Sequence, residues 1–418
     1  MGVSFRELNW PLLLIWVGLA ACGLVAIYSA TQGPVAAFLP SYIQENFYRQ
    51  LTWFALSVVV VMGIQFVSPR NFQGLAYILY GLGILLMIIT IFFGVEVSGS
   101  KSWLRIGPLN LQVAEFMKMA TILAAANYLA NTRETPAESL KTVLTTLVFF
   151  ILPVLLLLLQ NEMGVAIIFL ALLPFVLFWA GLPHGVTLLM ISPALVGYFS
   201  ILGWYWGAVA VVVITTAIFF IQRSNWVVAT ALIVGVLTVV GTEVALHHVL
   251  QPHQAARVEA FVNPGADPRG SGWNIIQATT AIGSGGFSGK GFMEGTQTQL
   301  RFLPEQWTDF IFCVVGEEFG FIGGSIIMLL FLMLFISLIQ MAGNHKHPFA
   351  QLVIISVAAV FFINFTINIA SATAIMPVIG LPLPFVSYGG SAFMTNSILL
   401  AICLNMDFYK RSFSIYSG

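Results

Sequence analysis

Charged side chains are scarce in this sequence: 8% of its 418 residues are Asp, Glu, Lys or Arg, against roughly 25% in an ordinary soluble domain. With 59% hydrophobic residues, that scarcity excludes a soluble globular protein and predicts an all-α polytopic integral membrane protein. No excess of either sign exists, because 16 basic residues meet 16 acidic ones. A nucleic-acid partner, which calls for a basic surface, is therefore excluded. Cysteine is nearly missing. Cys22, Cys313 and Cys403 lie in apolar runs without paired spacing, which excludes a disulfide framework or a cysteine zinc site and leaves buried inert thiols. Internal repeats, low-complexity tracts and a soluble domain are also lacking, so residues 1–418 read as one transmembrane domain in contact with membrane lipids.

What the chain does have is a succession of apolar runs, each close to the roughly 20 residues that cross the hydrocarbon as a helix. They fall at about 11–31, 49–68, 72–94, 112–131, 142–160, 162–181, 186–203, 205–221, 226–246, 308–340, 350–374 and 387–406. This predicts 10–12 crossings, with 186–221 as an extra helix pair. The first run has no small-residue cleavage site and reads as a retained helix. Arg6, Arg70, Arg133, Lys141, Arg223, Lys346, Lys410 and Arg411 then fall on one side, which the positive-inside rule makes cytoplasmic. Lys101, Arg105, Arg257, Arg269, Lys290 and Arg301 fall on the other, in the two longest loops.

The polar content gathers in three outer elements: VEVSGSKSWLRIGPLNL at 95–111, a large extracytoplasmic loop at 247–307, and MPVIGLPLPFVSYGGSA at 376–392. Non-helical backbone at membrane depth persists only where protein buries it or it lines a wet cavity, so the three are expected to enclose one site. Asp309 follows Pro304, Glu305 and Thr308 near the outer start of a long apolar helix, which Thr308 or Glu305 would cap. On a continuous helix Glu317 would lie about 12 Å deeper. Desolvation there moves a carboxylate toward the range useful to a general base, although a capping or salt-bridged acid fits as well. Glu115 and Lys118 share one helix face three residues apart, as a structural ion pair or as cavity groups. Glu162, at the start of another run, is a similar case. The stretch QATTAIGSGGFSGKGFMEG (277–295) reads as a glycine-rich polar loop without hydrophobic period. Its N–H groups and Lys290 suit either a phosphate nest or a tight turn. Trp103, Trp273 and Trp307 suit interfacial anchoring or sugar stacking.

The segment 247–320, with W-L-R-I-G-P at 103–108, Q-V-A-E-F-M-K at 112–118 and PLPFVSYGGSA at 382–392, closely resembles the shape, elongation, division and sporulation (SEDS) family. Its members are peptidoglycan glycosyltransferases of the bacterial inner membrane. The last motif and the short N-terminus look more like the elongation branch than the division branch. The resemblance implies that Asp309 is the essential acid of an outer cavity bounded by Glu115 and Lys118, and that Trp103 is functionally sensitive. It also implies lipid II as substrate and a class B penicillin-binding protein as partner. Arg105, Lys290 and Arg301 are candidates to hold the pyrophosphate, with Glu305 and Glu317 as alternative bases. No metal site is legible, although the chemistry leaves room for a divalent cation, magnesium or manganese. Two departures are visible: Gln112-Val113-Ala114-Glu115 where the family has Q-P-S-E, and Glu162 where it has Asp. A lipid II flippase and a scaffold for a transpeptidase are the rival readings. A transporter would keep its charges near the midplane and show related halves; here the carboxylates collect toward the outer face and no halves repeat.

Overall fold

A computed structural model describes residues 8–97, 100–106, 109–132, 134–250, 252–267, 270 and 272–410. Arg6, Arg133, Arg269 and Arg411, used above for orientation, lie outside these. The helices are α1 (Trp10–Gln32), α2 (Ser41–Gln44), α3 (Asn46–Ile64), α4 (Pro69–Phe93), α5 (Val113–Asn131), α6 (Leu140–Leu159), α7 (Met163–Trp179), α8 (His184–Leu202), α9 (Trp204–Gln222), α10 (Asn225–Val244), α11 (Pro252–Val262), α12 (Trp273–Ser284), α13 (Thr296–Gln299), α14 (Ile311–Asn344), α15 (Pro348–Ala372) and α16 (Gly390–Phe408). Every apolar run of the sequence appears as a helix. Among the described residues ten are long and apolar enough to cross a membrane, and the chain is a multi-pass membrane protein. The two runs that miss that standard do so for physical reasons: α5 carries Glu115 and Lys118, and α7 has 17 residues.

Local chemistry sets the helix starts. Asn9 caps α1 by accepting from the Leu12 N–H at 3.3 Å. Proline enters at the first turn of α1, α4 and α15, where its missing N–H would have had no partner. The all-α expectation holds, with one small non-helical addition. Three strands, β1 (Val95–Val97), β2 (Ser100–Ile106) and β3 (Leu109–Gln112), pair as an antiparallel sheet with Trp103 opposite Gln112 and Arg105 opposite Asn110.

The chain forms two compact units. One comprises 133–144 and 173–276; its α8, α9 and α10 pack mutually, with α11 against α8. The expected extra pair is therefore two members of a three-helix group. The other comprises 1–132, 145–172 and 277–418, and every candidate site residue belongs to it. Within it α15 and α16 are buried along most of their lengths, with α5 packed on both.

The loop at 247–307 is more helical than its composition suggested, since α11, α12 and α13 all lie in it. Its supposed lack of period is corrected too. Ala278, Ala281 and Ile282 recur at helical spacing and pack against Leu303, Phe310, Phe312, Cys313 and Ala372.

Candidate functional site

Asp309 does not sit on a helix. It belongs to a turn that precedes α14, with the Thr308 and Asp309 N–H groups both donating to the Glu305 carbonyl at 3.2 Å. Neither Thr308 nor Glu305 caps α14; Phe310 occupies the cap position without a side-chain bond. Glu305 is exposed at φ 50°, and the Thr308 hydroxyl donates to its carbonyl at 3.2 Å.

Three carbonyls of this turn are held from outside. Trp307 O accepts from the Tyr388 N–H at 2.9 Å, Thr308 O from the Ser387 hydroxyl at 2.6 Å, and Asp309 O from Asn368 Nδ2 at 3.0 Å. Asn368 also donates to Leu381 O at 2.8 Å. The Asp309 carboxylate is partly exposed, and its Oδ2 lies 3.4 Å from where a Cβ on Gly380 would be. The proline-rich segment 376–389 thus holds the turn while Asp309 stays partly exposed and Glu305 exposed. Burial pushes the Tyr388 phenol up, which keeps it neutral, against the opposing pull of nearby Arg49. Trp307 is buried and serves neither as interfacial anchor nor as sugar platform.

The same segment reaches the sheet. Ser391, at the start of α16, accepts from the Gln112 N–H and donates to Asn110 O, both at 3.2 Å. β3 leads directly into α5, whose first turns carry Glu115 and Lys118. These two pair at 2.9 Å with side chains 4% and 3% exposed. Glu115 Oε2 is buried without a hydrogen-bond partner. One carboxylate oxygen is therefore committed to Lys118, while the other keeps its full capacity as an acceptor.

The remaining candidates separate by what already occupies them. Trp103 and Arg105 lie two apart on β2 and so share one sheet face; Arg105 is exposed and makes no ion pair among the described residues. Glu162 accepts from the hydroxyls of Ser100 and, at 2.7 Å, of Ser102, so it secures the sheet from below. Arg301 donates to Phe38 O at 2.9 Å. Lys290 pairs with Glu317 at 2.7 Å. Glu317 also accepts from the N–H groups of Gln297 and Thr298 at 2.9 Å, which makes it a structural acid and a poor alternative base.

Of the two readings left open for the glycine-rich loop, phosphate nest or tight turn, the backbone pairing favours the turn. The Lys290 and Gly291 N–H groups donate at 3.0 Å to the carbonyls of Glu317 and Glu318, and those of Phe321 and Ile322 donate back to Gly286 and Phe287. This clasp exists because α14 is broken at Gly320, at φ 60° and ψ −154°. The freed helix carbonyls take loop N–H groups as partners, as buried backbone must. The depth assigned to Glu317 counted helical rise from Asp309; the turn before Ile311 removes that assumption. The 24 residues after the break, about 36 Å of helix, are long enough to cross by themselves.

Sequence reasoning missed Asn368, Ser387 and Ser391 as individuals, although it marked the segment containing two of them. It also missed Glu318, whose partners Ser29 and Gln299 are 289 and 19 residues away. Among the described residues no three His, Cys, Asp or Glu side chains come together as a metal-ligand set.

Comparison with known proteins covers nearly the whole chain. The FtsW/RodA/SpoVE cell cycle protein model matches residues 9–205 and 205–412. The peptidoglycan glycosyltransferase RodA of Treponema pallidum (strain Nichols) is 30% identical over 436 residues, spanning 97% of this chain and 98% of its own. Escherichia coli (strain K12) peptidoglycan glycosyltransferase MrdB is 29% identical over 408 residues, spanning 98% and 95%. Among solved structures, a chain of a peptidoglycan synthase complex that coordinates polymerization and crosslinking superposes with TM-score 0.72 at 26% identity, covering 98% of this chain and 99% of that one. The crystal structure of Thermus thermophilus rod shape determining protein RodA gives 0.63 at 24% identity, covering 97% and 98%, and shows the shared fold.

Proposed function

Because this chain belongs to the FtsW/RodA/SpoVE family of cell cycle proteins, we infer that it is a peptidoglycan glycosyltransferase of cell elongation, polymerising lipid II at the outer face of the bacterial cytoplasmic membrane. The observation that carries the reading is the turn at 303–310: three external hydrogen bonds fix its backbone, and Asp309 on it remains partly exposed. A rigidly mounted acid within reach of the substrate is what a positioned general base requires.

In the reaction, Asp309 takes the proton of the acceptor sugar hydroxyl as that oxygen attacks the anomeric carbon of the donor. The bond from that carbon to the undecaprenyl pyrophosphate breaks, and the lipid leaves with both electrons. Attack from the opposite face inverts the centre and gives a β-1,4 linkage. The leaving pyrophosphate needs positive charge. Lys290 and Arg301 are already engaged by Glu317 and Phe38 O, so Arg105 is the strongest of the three sequence candidates. Trp103 shares its sheet face and offers a flat surface to a sugar ring. The buried Glu115–Lys118 pair forms the polar wall of the cavity. A divalent ion accompanying the substrate would be held chiefly by phosphate oxygens, since no group of three or more His, Cys, Asp or Glu side chains gathers among the described residues.

A class B penicillin-binding protein is the expected partner, since the similar complex couples polymerization to crosslinking. The experiment that tests the assignment is polymerisation of labelled lipid II by the purified chain with that partner, comparing wild type with Asp309→Asn. Wild type makes glycan ladders and the variant, folded and partner-bound, makes none. A variant that makes ladders removes Asp309 as the base.

A further inference from the structure

Glu318 is buried at 1% exposure beside the break in α14, and no step of the reaction uses it. A carboxyl in such a place is costly, and apolar replacements of buried ionic groups are often neutral or stabilising. Its partners indicate what it does. Glu318 Oε1 accepts from the Ser29 hydroxyl at 2.6 Å and from Gln299 Nε2 at 2.9 Å. Gln299 Nε2 also donates to Ser29 O at 3.2 Å, and its Oε1 accepts from the Val35 N–H at 3.2 Å. One residue along α1, Ala30 O accepts from Gln306 Nε2 at 3.2 Å, and Gln306 lies in the turn that carries Asp309. Ser29, Gln299 and Gln306 are themselves buried.

We propose that Glu318 is a positioning residue for the transfer: through Ser29 and Gln299 it locks the last turns of α1 against the break in α14, and α1 in turn fixes the Asp309 turn through Gln306. The first segment of α14 leaves Asp309 at one end and reaches Glu318 at the other. Two routes therefore join these acids, one along the helix and one through α1, and together they close a rigid loop. Without the second route the turn at 303–310 keeps its bonds to Asn368, Ser387 and Tyr388 but loses the backing of α1. A misplacement on the order of 1 Å at a reacting group costs up to roughly a hundredfold in rate.

This role rests on the polymerase reading, so its test pairs kinetics with a structural readout independent of activity. In the full chain with its partner, Glu318→Ala lowers kcat roughly tenfold to a hundredfold while KM for lipid II stays unchanged. Glu318→Gln, whose amide oxygen still accepts from Ser29 and Gln299, retains most of kcat. Ser29→Ala acts in the same direction, and the Ser29→Ala/Glu318→Ala double variant is no worse than Glu318→Ala, the mark of one shared interaction. Backbone amides of 303–310 exchange faster with deuterated water in Glu318→Ala than in wild type or Glu318→Gln. A folded Glu318→Ala variant with wild-type kcat and exchange overturns the proposal, as does a fully additive double variant. If wild type makes no glycan while Glu318→Ala still loosens 303–310, the polymerase reading falls and the bracing by α1 stands. Should Glu318→Ala fail to fold, Ser29→Ala and Gln299→Ala carry the same kinetic and exchange measurements.

Discussion

Glu115 and Lys118 depend on each other for burial. Lys118→Met strands the Glu115 carboxylate at 3% exposure with no counter-charge, and breaking a buried pair from one side costs about 3–5 kcal/mol. The melting temperature of the detergent-solubilised protein falls accordingly. Adding Glu115→Gln removes the stranded charge, so the double variant recovers most of the stability without recovering polymerisation. A Lys118→Met protein that melts with wild type would show that the pair is not energetically coupled. This pair was legible in the sequence, because i and i+3 on a helix must meet. Glu162 and Lys290 were not, since spacing reveals neither the Ser100 and Ser102 hydroxyls nor Glu317 as the partners that occupy them.

Helices were the easiest elements to foresee, because an apolar run of twenty residues has few alternatives in a membrane. The break in α14 was hidden by its own neighbourhood. Gly320 is followed by Gly323 and Gly324 with no proline nearby, so nothing in the local sequence marks which glycine opens. The sheet at 95–112 hid behind a polar composition that also suits a loop. Gly320 is the position to test the clasp. Its φ and ψ belong to a region essentially reserved for glycine, and a Cβ there would stand 2.3 Å from the Gly289 nitrogen. Gly320→Ala is expected to cost at least about 1–3 kcal/mol from backbone strain alone. It also admits protease into 285–300, read by limited proteolysis and thermal melting. Unchanged melting and cleavage would mean that the backbone at 320 is not held as described.

At the scale of the whole molecule, the unit that holds Asp309 at one end is tied shut at the other. Asn405 Nδ2 donates to Ile64 O and Val67 O at 2.9 Å, the Tyr409 hydroxyl to Gln65 O at 3.2 Å, and Asn9 Nδ2 to Asp407 at 3.2 Å. His345, between α14 and α15, joins this closure: its Nε2 lies 3.1 Å from Met406 O, and since a carbonyl only accepts, Nε2 is the donor. Burial holds its pKa below the usual 6.5, with Lys410 adding to that, while the Met406 carbonyl and Asp407 oppose it. His347, two residues on, is lowered by burial and by His345 in the same way. The unfolded chain therefore takes up protons before the folded one as pH falls. Stability is at its plateau above about pH 6.5 and declines below it, until pH drops through the lower folded value. Melting temperature measured between pH 8 and pH 5 should fall on the acid side, and His345→Gln should flatten that fall while leaving the plateau near its original height. An equally steep fall in His345→Gln would assign the sensitivity to His347 or to the carboxylates, and would separate the closure at this end from protonation of His345.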